Sequence, residues 1–198
     1  MHTPETRQTL RQHFRQKRNN LSDEQQKRAS HELLSQCRVT EQYQVAKNIA
    51  CYLAQDGEIS MRSVIEDAWS QGKIVCLPVL HPFSEGQLLF LRYHKNSPMK
   101  ANKFGIDEPQ LRVTDIVPLP KIDVLFAPLV AFDLQGQRLG MGGGFYDRTL
   151  VPVARDKLTT KVYGVAHDCQ KVKNGIKSDK WDIPMQQIMT PSRIYVTP

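Results

Sequence analysis

The sequence predicts an α/β domain built as three layers, with a mostly parallel sheet between helices and two further helices at its N-terminus. Short, continuous apolar runs recur along the chain, and helical stretches separate them. Parallel strands produce this pattern because helical crossovers bury both faces of the sheet. The length of 198 residues and the hydrophobic fraction of 40% fit one globular domain, which we expect to span residues 1–198.

The first predicted helix, Thr6–Asn19, combines a narrow apolar line with a basic face. Leu10 and Phe14 form the apolar line, one helical turn apart. Arginines recur at spacings of three and four, and they are Arg7, Arg11, Arg15 and Arg18. Taken alone, this spacing is typical of a solvated cationic face.

A second helix is predicted from the capping-box pair Ser22 and Gln25 to about Cys37. Strands and helices then alternate, which is typical of a Rossmann-like sheet. The predicted strands are Lys47–Ala54, Lys73–Leu80, Gln87–His94, Asp123–Phe132, Lys161–Ala166 and Arg193–Thr197, and the predicted helices are Ser60–Gln71 and Phe145–Ala154. The proline-rich stretch Lys95–Lys121 is predicted to be a long irregular connection, and such connections are often functional.

The charge balance favours an anionic partner, since 27 Lys and Arg against 20 Asp and Glu give a net charge of +7. No apolar run approaches the roughly 18 residues that cross a bilayer, and the first residues lack the apolar core of a secretion signal. We therefore expect a cytoplasmic protein with no membrane partner. The cysteines have no zinc or disulfide spacing and are predicted to be reduced and mostly buried. They are Cys37, Cys51, Cys76 and Cys169.

The segment Arg138–Arg148, RLGMGGGFYDR, contains four of the 11 glycines and is called the glycine segment below. It lies between a predicted strand and a predicted helix, at the edge of the sheet where ligands bind in open α/β folds. Glycines let backbone N–H groups approach a phosphate, and a helix start adds more. Asp147 offers oxygens that suit Mg²⁺, and flanking arginines suit phosphate. The spacing is neither a P-loop nor a dinucleotide fingerprint, and a flexible turn is the alternative interpretation.

Five motifs, in order along nearly the whole chain, resemble those of one enzyme family. They are RQTLR at 7–11, YLAQDGEI at 52–59, NKFGIDEP at 102–109, GQRLGMGGGFYDR at 136–148 and WDIPMQQIMTP at 181–191. The chain is similar to the 5-formyltetrahydrofolate cyclo-ligases, also called methenyltetrahydrofolate synthetases. The resemblance implies that ATP and Mg²⁺ are used to convert 5-formyltetrahydrofolate to 5,10-methenyltetrahydrofolate, with release of ADP and phosphate.

The resemblance also implies roles for individual residues. It implies ATP contacts at Arg7, Arg11, Arg138, Leu139, Gly140, Met141, Gly142, Gly143, Gly144, Phe145 and Tyr146. It implies folate contacts at Leu53, Glu58, Phe104, Met141 and Phe145. Asp147 and Asp182 match the positions that bind Mg²⁺ in the family, and the catalytic roles are implied for Arg138, Tyr146 and Asp147.

Two other functions remain open on the sequence alone. A protein of the same fold could bind a nucleotide without acting on folate, although Leu53 and Glu58 favour the folate enzyme. The basic first helix could bind nucleic acid, but no aromatic stacking platform accompanies its arginines. We therefore expect no nucleic-acid partner, and a monomer or a weak homo-oligomer.

Some positions depart from the family or have no predicted role. Gln186 stands where the family often has Asp, and a neutral side chain adds no charge for a metal. Five histidines are predicted to be surface or packing residues, because the implied mechanism does not need a general base. They are His13, His31, His81, His94 and His167.

Overall fold

The computed structural model of the chain describes residues 6–155, 157–179 and 182–197, so Trp181 of the last motif lies outside these ranges. The helices are α1 Arg7–Asn19, α2 Asp23–Arg38, α3 Glu41–Val45, α4 Arg62–Ser70, α5 Phe145–Thr149 and α6 Val151–Ala154. The strands are β1 Asn48–Ala50, β2 Ile74–Leu80, β3 Leu88–Arg92, β4 Met99–Ala101, β5 Asp107–Pro109, β6 Val124–Pro128, β7 Ala131–Phe132, β8 Arg138–Leu139, β9 Lys161–Val165, β10 Gln187–Met189 and β11 Ile194–Val196.

Seven strands form the central sheet, in the order β11–β10–β9–β6–β1–β2–β3. The five inner strands run parallel, whereas β3 and β11 pair antiparallel at the two edges. From β1 the chain continues to β2 on one side and later returns to β6 on the other. The strand order therefore reverses between β1 and β6, and open sheets of this kind bind ligands beyond the carboxyl ends of such strands. The predicted mostly parallel α/β sheet is confirmed.

Alternate side chains of the central strands enter two different cores. In β6, Val124 and Phe126 pack into a core shared with α2 and α4, whereas Leu125 and Ala127 pack into the core on the opposite face. Leu150, at the junction of α5 and α6, belongs to that second core. Because both faces of β6 are covered, its sequence is an unbroken apolar run.

Helix α1 packs across the carboxyl edge of the sheet. Leu10 and Phe14 form a third core with Val130, Ala131 and Leu139, which lie in or beside the hairpin of β7 and β8. Thr6 caps the start of the helix through its hydroxyl. This packing places the arginine-bearing helix against the start of the glycine segment.

The predicted helix Phe145–Ala154 is confirmed in its position, but a break at Leu150 divides it into two short helices, α5 and α6. Pro152 has no N–H to donate to the carbonyl of Arg148, so the helical hydrogen bonds cannot continue through it. The N–H groups of Val153 and Ala154 bond instead to the carbonyl of Leu150, each at 3.0 Å.

Several further elements differ from the predictions. The expected irregular connection Lys95–Lys121 contains the hairpin of β4 and β5, and the hairpin of β7 and β8 separates β6 from the glycine segment. Helix α3 and strand β10 were not predicted. Strand β1 is shorter than the predicted strand Lys47–Ala54, so the chain leaves the sheet early and forms the loop that carries Leu53 and Glu58.

The four cysteines are free thiols, three of them buried and Cys169 partly buried, which confirms the prediction of reduced cysteines. Within the described part of the chain, none of the helices has the length and apolar character required to cross a bilayer.

Candidate functional site

A cavity of about 610 Å³ lies beyond the carboxyl ends of β1 and β6, where the strand order reverses. Its walls are the loop after β1, the glycine segment and the turn between β4 and β5. The predicted site residues that line it are Leu53, Glu58, Phe104, Arg138, Gly140, Met141, Gly143, Gly144, Phe145, Tyr146 and Asp147. Residues predicted for the nucleotide and for the folate thus lie around one cavity.

The backbone of the glycine segment forms one wall with free hydrogen-bond donors. Gly142 and Gly144 have φ angles of 105° and 64°, a region that residues with side chains rarely adopt. No described residue accepts a hydrogen bond from the eight consecutive backbone N–H groups between Gly140 and Asp147. Such a run of donors is suited to binding an anion. Because α5 has only five residues, these donors rather than a helix dipole supply most of the attraction.

Two arginines hold the carbonyl groups of this segment. The Nε of Arg11 donates to the carbonyl oxygen of Gly140 at 2.8 Å, and Arg148 donates to the carbonyl oxygen of Gly143. Arg148 also bonds to the carbonyl oxygen of Gly86 at 2.9 Å. In a trans peptide the carbonyl and the following N–H point in opposite directions. The N–H groups of Met141 and Gly144 therefore point away from these two arginines.

Two arginine–carboxylate pairs flank the segment. Arg138 is buried, and its Nη2 donates to Asp147 Oδ1 at 2.6 Å. Arg7 donates to both carboxylate oxygens of Asp182, with 3.1 Å between Nη2 and Oδ1. Burial of Asp182 opposes its ionisation, but the hydrogen bonds from Arg7 and from the N–H of Asp179 outweigh it, so the pKa of Asp182 is lowered. In each pair the positive charge of the arginine neutralises the negative charge of the aspartate.

On the opposite wall, Glu58 is largely buried beside the loop after β1. Its Oε2 accepts a hydrogen bond from the N–H of Gln55 at 3.1 Å, and only 12% of its side chain is exposed. Burial raises the pKa of Glu58, while the nearby Arg18 lowers it. Tyr146 lies close to Glu58, and burial raises the pKa of its phenol. A buried carboxylate beside apolar walls can pair with a ligand that has several N–H donors.

The turn between β4 and β5 brings Phe104 over the cavity. Phe104 is 56% exposed and meets the ring of Phe145 edge to face, with 6.0 Å between the ring centroids. Asn102 Oδ1 accepts the N–H groups of Phe104 and Ile106, at 2.9 and 3.2 Å. The Asn102 amide in turn bonds to the buried Glu108, so the turn has a defined shape.

Comparison with known proteins identifies the family of the chain. A sequence profile of the 5-formyltetrahydrofolate cyclo-ligase family matches residues 3–191. The chain is 46% identical to the 5-formyltetrahydrofolate cyclo-ligase of Escherichia coli K12 over 182 residues, which cover 92% of this chain and 98% of that protein. It is also 46% identical to the Haemophilus influenzae cyclo-ligase over 183 residues, which cover 92% of this chain and 96% of that protein. The chain belongs to the 5-formyltetrahydrofolate cyclo-ligase family.

Solved structures show the same relationship. The NMR structure of Aquifex aeolicus 5,10-methenyltetrahydrofolate synthetase superposes with a TM-score of 0.79 at 28% identity, covering 96% of this chain and 92% of that one. A Mycoplasma pneumoniae structure with a TM-score of 0.73, at 22% identity, shares the fold and covers 94% of this chain and 99% of that one. Membership makes this chain an enzyme with cyclo-ligase activity, and the resemblance inferred from its motifs is confirmed.

Within this member of the cyclo-ligase family, some predicted residues lie apart from the cavity lining. The side chain of Leu139 is fully buried in the third core, so only its backbone is available for the predicted ATP contact. Gly142 and Arg11 lie beside each other at the outer side of the glycine segment. Arg7 and Asp182 pair with each other next to it. Met141 is 53% exposed at the rim of the cavity.

Arg18 does not belong to the solvated face that the spacing of the α1 arginines suggested, whereas Arg15 is exposed. Arg18 is completely buried, and Arg15 donates to Asp56 Oδ2 at 2.7 Å. Arg18 continues the apolar line of Leu10 and Phe14 at intervals of four, and this position in the sequence could have identified it as buried. Arg7, Arg11, Arg15 and Arg18 all have intramolecular hydrogen-bond partners.

The buried histidine near this site should make the stability of the fold depend on pH. His167 is 3% exposed, and its Nε2 has no hydrogen-bond partner among the described residues. Its pKa is lowered from 6.5 to about 4, mainly by burial, and the positive charge of Arg18 acts in the same direction. Because the unfolded chain binds this proton first, stability is complete above pH 6.5 and is lost as the pH falls toward 4, by about 3 kcal/mol.

Urea unfolding at pH 7, 5.5 and 4.5 tests this expectation. The His167→Gln variant should lose less stability between these pH values than the unmodified chain. The exposed His31→Gln variant is the control and should keep the full pH dependence. Asp56 does not affect the comparison, because the hydrogen bond from Arg15 lowers its pKa and its contribution is lost only below about pH 4. Equal pH dependence in all three proteins would contradict the assignment.

Proposed function

We propose that this chain uses ATP and Mg²⁺ to convert 5-formyltetrahydrofolate to 5,10-methenyltetrahydrofolate, releasing ADP and phosphate. The observation that carries the proposal is the cavity with two dissimilar walls. One wall has a run of free backbone N–H groups beside arginines, which suits phosphate, and the other has the buried Glu58, which suits the N–H-rich edge of a pterin.

The chemistry explains why a nucleotide is needed. A formamide carbonyl is a weak electrophile, and its oxygen is a poor leaving group. The formyl oxygen attacks the γ-phosphorus of ATP and ADP departs, which leaves an iminium phosphate at N5. The folate N10 then attacks the formyl carbon and loses its proton, and the carbon–oxygen bond breaks to release phosphate. No covalent bond to the enzyme is required, so the protein acts by positioning and charge stabilisation.

In this scheme the glycine segment and the arginines hold the phosphates. The backbone N–H groups of Gly140–Gly144 donate to phosphate oxygens, and Arg138 and Arg7 supply positive charge beside them. Arg11 keeps the carbonyl of Gly140 turned away from the nucleotide, and this contact is the structural role that we assign to it. Phe145 and Tyr146 line the cavity, and in this scheme they would lie at the boundary between the nucleotide and the folate.

Asp147 and Asp182 would hold the Mg²⁺, and their oxygens fit the preference of that ion. No cluster of three or more acidic, His or Cys side chains that could hold a metal ion occurs among the described residues. That arrangement suits Mg²⁺, which commonly binds one or two carboxylates together with substrate phosphates. When bound, the ion would neutralise charge on the phosphates. Arg138 and Arg7 would then be released from Asp147 and Asp182 to the nucleotide.

The proposed reaction is tested by incubating the protein with 5-formyltetrahydrofolate, ATP and MgCl₂ and recording the absorbance of methenyltetrahydrofolate. Product should form at a rate that depends on both ATP and Mg²⁺, with one ADP released for each methenyltetrahydrofolate. Omitting ATP, or adding EDTA, should abolish it. Product formation without ATP consumption would refute the proposed mechanism.

Replacing Arg11 by Ala should raise the KM for ATP more than the KM for the folate. The variant loses the hydrogen bond to the carbonyl of Gly140, and we expect the KM for ATP to rise about tenfold, since a hydrogen bond to a charged group is worth about 1.5–3 kcal/mol. Arg28→Ala removes a similar charge from the exposed face of α2 and should change neither constant. A larger effect on the KM for folate would place Arg11 on the other side of the site.

A further inference from the structure

We propose that Arg18 is a positioning residue for the folate carboxylate Glu58. Its buried guanidinium holds the turn at Asp56 and Gly57 in the one conformation that directs Glu58 along the cavity wall. The inference rests on the proposed function, because it assigns Glu58 to the folate. Nothing in the sequence motifs points to Arg18.

The guanidinium of Arg18 connects α1 to three other segments, which are the loop after β1, the end of β6 and the glycine segment. Nε donates to the backbone carbonyl of Asp56 at 2.7 Å, and Nη2 donates to Asp56 Oδ2 at 2.8 Å. Nη1 donates to the carbonyl of Leu129, just beyond β6, at 3.3 Å. Nη2 also lies 3.8 Å from Glu58 Oε1 and 3.8 Å from the sulfur of Met141. The side chain is completely buried, so these contacts are shielded from water.

The turn that Arg18 holds is an unfavourable one for the chain. Asp56 has a φ of 50° and is the one non-glycine residue with a positive φ in the described ranges, and Gly57 follows with a φ of 75°. A Cβ on Gly57 would lie 2.3 Å from Asn19 Oδ1. Residues in this region persist only where surrounding contacts impose it. Arg18, together with Arg15 and Asn19, provides those contacts on Asp56.

The turn at Asp56 and Gly57 also fixes the position of Glu58. The N–H of Glu58 donates to the carbonyl of Gln55 at 2.9 Å, and Glu58 Oε2 accepts the N–H of Gln55 at 3.1 Å. One carboxylate oxygen is therefore used within the turn, and Oε1 is the atom that faces Arg18. Lysine could not replace these contacts, because it lacks the planar fork that reaches several acceptors at once.

Arg18 also separates two negative charges. The negative charge of Asp56 raises the pKa of Glu58, and the positive charge of Arg18 lowers it. The other titratable groups facing this cluster are Arg15, Tyr52, Tyr146, His167 and Cys169. Removing Arg18 should therefore make Glu58 harder to ionise, and the acid limb of kcat/KM for folate should move to higher pH.

Steady-state kinetics and equilibrium binding of 5-formyltetrahydrofolate to Arg18→Gln, Arg18→Lys and Asp56→Asn test the proposal. We expect the KM and Kd for folate to rise about 30-fold in Arg18→Gln, as for a lost hydrogen bond to a charged group, while the KM for ATP changes less than about threefold. Arg18→Lys should restore part of the pH profile but little of the affinity. Asn also adopts a positive φ, so Asp56→Asn should fold, and it should show the same rise in the KM and Kd for folate. This variant keeps the test decisive if Arg18→Gln does not fold.

Arg28→Gln is the control, because it removes the same charge from an exposed position on α2, where Arg28 pairs with Glu32. Exposed ion pairs contribute little, so its KM for folate should stay within about threefold of the unmodified value. The assignment is overturned if a folded Arg18 or Asp56 variant keeps its folate KM and pH profile, or if the KM for ATP rises equally. An unmodified chain that neither binds nor converts the folate would instead refute the proposed function.

Discussion

Replacing Asp147 by Asn should lower kcat about 100-fold, with a smaller effect on the KM for folate. The amide keeps the shape of the side chain but removes one of the two carboxylate charges that would hold Mg²⁺. It also leaves the buried Arg138 without its charged partner, which lies at 2.6 Å in the unmodified chain. Rates measured over a series of Mg²⁺ concentrations should show a higher requirement for the metal.

A control for this experiment is present in the same cluster. Asp179 lies 3.3 Å from Arg7 and has a side chain that is 38% exposed, and we assign it no role in metal binding. The Asp179→Asn variant removes a charge from the same neighbourhood and should retain its activity and its Mg²⁺ dependence. If Asp147→Asn and Asp179→Asn behave alike, Asp147 does not bind the metal.

Replacing Glu58 by Gln should lower kcat/KM for 5-formyltetrahydrofolate about 100-fold, mainly through KM, and leave the KM for ATP unchanged. Loss of a buried charge that pairs with ligand donors costs about 2–3 kcal/mol, which corresponds to this factor. The exposed Glu32→Gln variant on α2 carries the same change in charge and should behave like the unmodified chain. An equal loss of ATP affinity would show that Glu58 supports the fold rather than the folate.

The same variant tests the pH dependence. Burial raises the pKa of Glu58 above its usual value of 4.5, so the carboxylate is ionised above that raised pKa and neutral below it. The KM for folate in the unmodified chain should therefore rise as the pH falls through the raised pKa of Glu58. In Glu58→Gln this dependence should be absent, because the amide does not titrate. A pH dependence that persists in the variant would assign it to another group.

The local sequence patterns predicted most elements because they depend on near neighbours. The capping pair Ser22 and Gln25 begins α2 with both expected hydrogen bonds. Four of the predicted runs became parallel strands, since a strand covered on both faces must be apolar throughout, and the other two became the antiparallel edge strands β3 and β11. The break within the predicted helix Phe145–Ala154 also has a local cause, because Pro152 has no N–H to donate. The apolar pattern around Pro152 had favoured one continuous helix.

The site was harder to predict, because charge partners depend on distant segments. Nothing near Asp182 in the chain indicates that Arg7 binds it, and the two are 175 positions apart. Arg18 was interpreted as part of a solvated face, although it lies on the buried side of α1 and bonds with Asp56. Local periodicity shows which side of a helix a residue occupies. It does not show whether a carboxylate from a distant segment lies on that side.

The sequence by itself determined the fold class and the family, because these depend on apolar periodicity and motif order. It also predicted phosphate binding by the glycine segment from the conformational freedom of glycine. Only the tertiary structure decided that Arg18 of α1 points inward and bonds with Asp56 in the turn beside Glu58, and that Asp147 and Asp182 are paired with arginines. The physical reason is that a buried charge requires a nearby partner of opposite charge. Which segment supplies that partner depends on how the core packs, and not on neighbours in the sequence.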